Sequence, residues 1–363
     1  MRRLFPALLI AAASTAGAQD ISDISARIAP QFHSYDIKSP SNIKISEFSV
    51  PIFVLVPVTS HLSFDVGSSY THAEAKGTTT TSSISGLTDT QIRANYTLGS
   101  DFVVLTAGVN LPTGQSTVNS DQLAAASLIG NDFLAFPISN MGTGFGGTGG
   151  VAIAKPFGDW NIGGGASFRK SSSYDPFDAT VTQSTLHYQP GNEVRLRGGV
   201  DRAFGTGRVN LGVTYSSFTD DDLGGSVYNT GNRLLTQLGL NNNLGPGMLT
   251  LTGWDLYRAA GHLVDSTVTG KENIIAAALA YGLQSGSTTV IEPNIEGRMW
   301  TQSEGIPSSA LATIGLRAQF SLIGYAVSPS VGYSVGSLGT GGAGSTIKAD
   351  LTGWHASLGI RLR

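Results

Sequence analysis

From Gln91 to Leu98 the chain alternates without a break. Ile92, Ala94, Tyr96 and Leu98 fall on one side, and Gln91, Arg93, Asn95 and Thr97 on the other. In a strand, successive side chains point to opposite faces, so one face is apolar and the other polar. The same pattern returns along the whole chain. Arg208 to Tyr215 sets Val209, Leu211, Val213 and Tyr215 against Arg208, Asn210, Gly212 and Thr214. Ile291 to Met299 sets Glu292, Asn294, Glu296 and Arg298 on the polar side, and Ala312 to Phe320 sets Thr313, Gly315, Arg317 and Gln319 there. An apolar face on nearly every strand leaves a soluble sandwich little to bury it against. A barrel in a membrane turns that face to lipid and the polar face to its lumen.

Composition agrees. Charged residues make up 13% of the chain, against about a quarter in a soluble domain, and there are 47 Gly and no Cys. The net charge of −3 predicts no nucleic-acid partner. Met1-Arg2-Arg3, an apolar run from Leu4 to Ala13 and Ala16-Gly17-Ala18 have the order of a signal peptide. Residues 1–18 are therefore expected to be an export signal, and 19–363 the barrel. Beyond them no run of 18 apolar residues offers a membrane helix.

Turn signals and longer polar stretches take turns along the chain. Short turns are expected at 57–59, 99–101, 157–159, 205–207, 243–246 and 285–287, with a weaker one at 321–324. Gly, Asn and Asp there supply the positive φ of tight hairpins. Longer stretches lie near 75–86, 111–142, 173–192, 219–229, 259–270, 301–307 and 338–348. Seven hairpins, a first strand near 27–35 and a last one near 351–363 make sixteen strands, with fourteen as the alternative. The fold class is an all-β transmembrane antiparallel up-and-down barrel, with short periplasmic turns and long outer loops. Tyr325 and Tyr333 share one outward face, and Trp300, Tyr215 and Tyr281 fall near strand ends, where interfacial aromatics belong.

A charge turned to lipid costs about 2–4 kcal/mol at mid-membrane, so the strand charges are expected inside. Arg93, Arg195, Arg197, Arg208, Glu292, Glu296, Arg298 and Arg317 are the lumen candidates, with Arg169, Arg361, Asp65 and Glu193. They either pair across the lumen and hold the barrel together or set a transverse field at a constriction that selects solutes. The 111–142 stretch is apolar in its middle, with Leu123, Leu128, Ile129, Phe133, Leu134 and Phe136. Ser120 and Asp121 are N-cap types for a short helix, and Gly130 suits its end. Leu128, Ile129, Phe133 and Phe136 either belong to a capture site for apolar solutes or a lid over the pore mouth, or pack the inward-folded loop onto the barrel wall.

No catalytic or metal-binding pattern stands out. The six histidines are scattered, and His355 with Ser357, two apart on one strand face, lacks a third partner. Gly144-Phe145-Gly146-Gly147 leads into a strand and has no nucleotide-binding context. No enzyme activity, cofactor or metal is expected.

Gly86-Leu87-Thr88-Asp89-Thr90 is followed, past Arg93 and Tyr96, by Gly108-Val109-Asn110-Leu111-Pro112-Thr113-Gly114. This G-L-x-D and L-P-T-G pair resembles the outer-membrane proteins grouped as the MetA-pathway of phenol degradation family, distant relatives of the FadL-type transporters of hydrophobic compounds. The match covers about 30 residues. It implies passive outer-membrane uptake of small apolar or aromatic compounds. A general water-filled porin and a structural barrel without transport are the alternatives. Two features depart from the family pattern. About eight residues separate Ala18 from the first strand, too few for an N-terminal plug, and the chain ends Ile360-Arg361-Leu362-Arg363 rather than on an aromatic residue. The expected partners are outer-membrane lipid, small solutes and the outer-membrane assembly machinery.

Overall fold

The computed structural model describes residues 24–38, 42–99, 102–182, 185–263, 268–286, 288–303, 305–322, 324–340 and 346–362. The export signal expected at 1–18 lies outside them. Eighteen strand segments form one antiparallel sheet, and two pairs of segments are single strands interrupted at a kink, which leaves sixteen strands. The first strand, β1, comprises Ser25–Ile28 and Gln31–Lys38. Then follow β2 (Ile43–Pro57), β3 (Leu62–Lys76) and β4, which comprises Thr81–Leu87 and Thr90–Leu98. Next are β5 (Val103–Leu111), β6 (Gly146–Phe157), β7 (Trp160–Ser171) and β8 (Glu193–Phe204). The next four are β9 (Gly207–Phe218), β10 (Arg233–Leu244), β11 (Gly247–Arg258) and β12 (Glu272–Ser285). The last four are β13 (Thr289–Gln302), β14 (Ser309–Leu322), β15 (Tyr325–Gly339) and β16 (Lys348–Leu362).

Each strand pairs with its chain neighbours, and β16 pairs with both segments of β1, for example His33 with His355 and Arg27 with Arg361. The ring is therefore closed and has no free edge. At one rim the connections are tight, with positive-φ glycines at Gly99, Gly158, Gly205, Gly245, Gly286 and Gly324. At the other rim the connections are mostly long, at 112–145, 172–192, 219–232 and 259–271. One sequence expectation is corrected here. The 75–86 stretch is not a loop, because β3 and β4 run on to Lys76 and from Thr81, joined by a turn closed by the Gly77 amide on the Thr80 carbonyl.

The outer face is apolar and bare. Ile314 is 65% exposed, and Phe168, Leu196, Leu211 and Val331 are exposed with it. Water would make this surface costly, whereas lipid makes it favourable. Every strand is paired on both sides within the closed ring, which is how a sheet meets the backbone demands of a membrane. The protein is an outer-membrane β-barrel of the bacterial type. Tyr325, Tyr333 and Tyr215 stand on the outer face as expected. Trp300 does not: it turns inward, stacks on Phe133 at 5.8 Å between centroids, and donates to Glu272 at 2.9 Å.

The apolar core lies inside the ring. The connection 112–145 folds into the lumen, carrying α1 (Leu123–Ile129). Ala125, Ile129, Phe133, Leu134 and Phe136 are buried there against inward side chains of β1, β2, β3, β4, β12, β14, β15 and β16.

Candidate functional site

The inward loop is held by polar ties as well as by packing. Ser82 of β4 accepts the Ala125 amide at 3.0 Å, near the start of α1. This is a cap supplied by a distant strand. Gln122 is the N-cap residue and its side chain caps nothing, so Ser120 and Asp121 do not play the expected part. Glu47 of β2, 1% exposed, accepts the Ile138 amide at 3.1 Å. Arg298 of β13 donates to the Phe133 carbonyl at 2.6 Å. From β4 back through β1 and β16 to β13 the loop spans half the ring.

Both feet of the loop meet at one carboxylate. Asp89, at the kink of β4, accepts from the Gly114 amide at 3.1 Å and from the Thr143 amide at 2.7 Å. It also accepts from the Asn110 side chain at 2.8 Å, and its own amide donates to Met141. Gly114 is required here, since a Cβ would stand 2.0 Å from the Met141 carbonyl oxygen. Thr113 bonds Thr90 at 2.8 Å. The G-L-x-D and L-P-T-G segments thus form a clasp that sends the loop inward. The sequence marked these residues as a motif without showing what they hold.

Ile129, Phe133 and Phe136 are closed to solvent, and Leu128 is half-buried. As folded, these four do not form an open apolar surface. Their side chains are used in packing the loop to the wall, because the inner faces of the upper strands are apolar as well.

The charged candidates fall on two walls. On the wall that carries the loop, Arg298 pairs with Glu296 at 2.7 Å and Arg317 with Glu292 at 2.7 Å. On the bare wall, β4 to β9, Arg93 pairs with Asp65 at 2.7 Å and Arg195 with Glu193 at 2.6 Å. Arg208 contacts Asp201 through two nitrogens, one of them at 2.8 Å. Arg169 donates to the Thr143 hydroxyl at 3.4 Å and pairs with no carboxylate among the described residues, and Arg197 is exposed. Arg361 faces inward at the short-turn rim, beside Arg27. The bare wall carries two open recesses. One, of about 200 Å³, lies among Arg93, Asn110, Arg169, Glu193 and Arg195. The other, of about 570 Å³, lies below it among Arg197, Asp201, Arg208 and Gln237.

Above this wall, the 172–192 and 219–232 connections carry a small sheet and a tyrosine cluster. Tyr174 meets Tyr188 edge-on at 5.3 Å, and Tyr188 stacks on Tyr228 at 6.1 Å. Burial, aided by nearby Tyr228 and Asp221, pushes the Tyr174 phenol up to about 12, so the cluster stays neutral. The His355 and Ser357 pair is not set for catalysis: His355 stacks on His33 at 5.3 Å, and Ser357 bonds Ser330 at 2.7 Å.

No family model matches the chain, and no curated protein matches it. Among solved structures, OmpT of Vibrio cholerae is similar at 10% identity over 95% of this chain and 98% of its own, with a TM-score of 0.45. The anion-selective porin of Comamonas acidovorans is similar at 14% identity over 94% and 99%, with a TM-score of 0.43. The TodX monoaromatic hydrocarbon channel, as a deltaS2 mutant, is similar at 11% identity over 96% and 92%, with a TM-score of 0.45. These likenesses extend to barrel architecture and no further.

Proposed function

We propose that the protein is a passive outer-membrane channel for small solutes, narrowed by the 112–145 loop. One observation carries this reading: the loop covers half of the inner wall, and the other half keeps open recesses of about 570 and 200 Å³, into which arginines project among glycines. A sixteen-stranded ring is wide enough for an aqueous passage. A loop docked across it leaves a constriction. Outer-membrane lipid, the assembly machinery and the solutes are then its partners. Liposome swelling with uncharged sugars of graded size tests the reading. Vesicles carrying the protein should swell in a monosaccharide and much more slowly in a trisaccharide. No swelling in any sugar, from protein shown to be inserted, overturns the channel and leaves a structural barrel.

A second reading, uptake of small apolar or aromatic compounds, is favoured by the family resemblance and by one further cavity. About 150 Å³ lies between the inward loop and the 172–192 connection, bordered by Ile84, Val118, Ile129, Met141, Tyr174 and Phe177. Gln115, Ser116, Ser139 and Asn140 add a polar side to it, and a cavity of about this size can hold a single aromatic ring. Uptake of a labelled aromatic hydrocarbon by whole cells with and without the protein tests it. Equal uptake removes it.

A further inference from the structure

On the bare wall the arginines form a continuous track. Asp65, Arg93, Gly108, Thr148, Arg169 and Glu193 are register partners in a single row across β3 to β8. Arg195 and Arg197 follow on β8, each two residues further down, and Arg208 on β9 lies opposite Ala203. From Glu193 to Ala203 is ten residues of strand. At about 3.3 Å each and a tilt near 40°, that covers on the order of 25 Å of the membrane normal. The track therefore runs most of the way through the membrane.

Glycines open the space beside it. Gly108 lies under Arg93, where a Cβ would stand 3.0 Å from the Arg93 Cγ. Gly165 is the partner of Arg197, and Gly199 faces Gly212 just below. Inward positions without side chains leave the guanidinium groups facing open volume. Five arginines on this wall face Asp65, Glu193 and Asp201, which compensate Arg93, Arg195 and Arg208. Arg169 and Arg197 have no carboxylate partner among the described residues. Asp89, the carboxylate nearest the top of the wall, already accepts three hydrogen bonds from the loop clasp. Across the lumen the arginines beside the loop are matched, Arg258 with Glu272, Arg298 with Glu296 and Arg317 with Glu292, while Arg27 and Arg361 stand together at the short-turn rim and Arg233 lies over the Phe218 ring.

We infer that the bare wall is a conduction track for small anions, with a planar carboxylate the best fit to its guanidinium forks. The inference rests on the channel reading and names its solute class. A carboxylate passes from fork to fork because each guanidinium offers parallel donors, and the paired acids keep any one site from holding it too tightly. An unscreened charge about 10 Å away in water changes the local concentration of a passing ion about twofold. Two such charges act together on anions and in the opposite sense on cations.

Reversal potentials across planar bilayers, in gradients of potassium chloride and then potassium acetate near 0.1 M or below, where screening is limited, test the inference. The wild type should prefer both anions over potassium several-fold. Arg169→Gln with Arg197→Gln should lower that preference at least twofold while single-channel openings persist. Arg197→Gln alone, an exposed position, should give part of the effect and guards against misfolding of the double variant. Openings without anion preference, or a preference unchanged in both variants, overturn the anion track and leave the channel standing. No openings at all overturn the channel reading and the track with it.

Discussion

Asp89 is the residue on which the shape of the lumen depends most. It is a single carboxylate that accepts from Gly114, Thr143 and Asn110. Removing it leaves three donors to find new partners, at about 1–3 kcal/mol for each that stays buried and unpaired. We expect Asp89→Ala to free both feet of the loop while the strand ladder holds. Limited proteolysis should then cut within 115–142, where the wild type resists, and single-channel conductance should rise. An uncut loop with unchanged conductance would show that packing alone suffices. Gly114→Ala should act alike through the clash with Met141. Residue-scale legibility was uneven. The inward side of Arg93, Arg298 and Arg317 followed from the period of two, because a strand leaves each side chain only two choices. The role of Asp89 did not, because its partners are mostly backbone amides 25 and 54 residues away, and an amide leaves no mark in the sequence.

At the scale of elements, the strands could be read because lipid and lumen impose opposite demands on alternate residues. The reading failed where that contrast disappears. Above the membrane belt the inner positions Ile45, Ala73, Ala75 and Leu351 are apolar and buried, since they face a loop rather than water. Trp300 belongs to this region and points inward for the same reason. The apolar middle of 111–142 showed that the segment needed cover without showing which surface would supply it. Phe133 and Phe136 form the centre of that contact: Phe133 stacks on Trp300, and Phe136 meets Tyr35 edge-on at 5.5 Å. Truncating a buried Phe to Ala costs about 3–5 kcal/mol. We expect Phe133→Ala with Phe136→Ala to undock the loop, raising conductance for polar and apolar solutes alike and exposing the loop to protease. A loss confined to aromatic tracer uptake, with conductance unchanged, would instead make these rings part of a capture site.

The whole molecule is held by its closure, in which the last strand must find the first. β16 is joined to β1 over eight register pairs from Gln31 with Ser357 to Lys38 with Asp350. Near the middle of this seam Gly353 pairs with Tyr35. A Cβ on Gly353 would stand 2.4 Å from the Tyr35 ring and 2.6 Å from the Ser34 carbonyl oxygen. The ring lies over the glycine, covering backbone that has no side chain of its own, and then meets Phe136 of the loop. Seam and loop are therefore coupled through one tyrosine. Overpacking such a site costs about 1–3 kcal/mol. A closed barrel resists detergent until heated, so its folded form migrates apart from the unfolded chain on gels. We expect Gly353→Val to lower the temperature at which the folded band is lost. Gly297→Ala serves as the control, because a Cβ on that glycine would meet nothing within 4 Å. It should leave the temperature unchanged, since it alters strand propensity without touching the seam. If both variants lose the folded band at the wild-type temperature, closure does not limit the barrel's resistance. If both lose it early by the same amount, the effect belongs to glycine replacement in any strand and not to the seam.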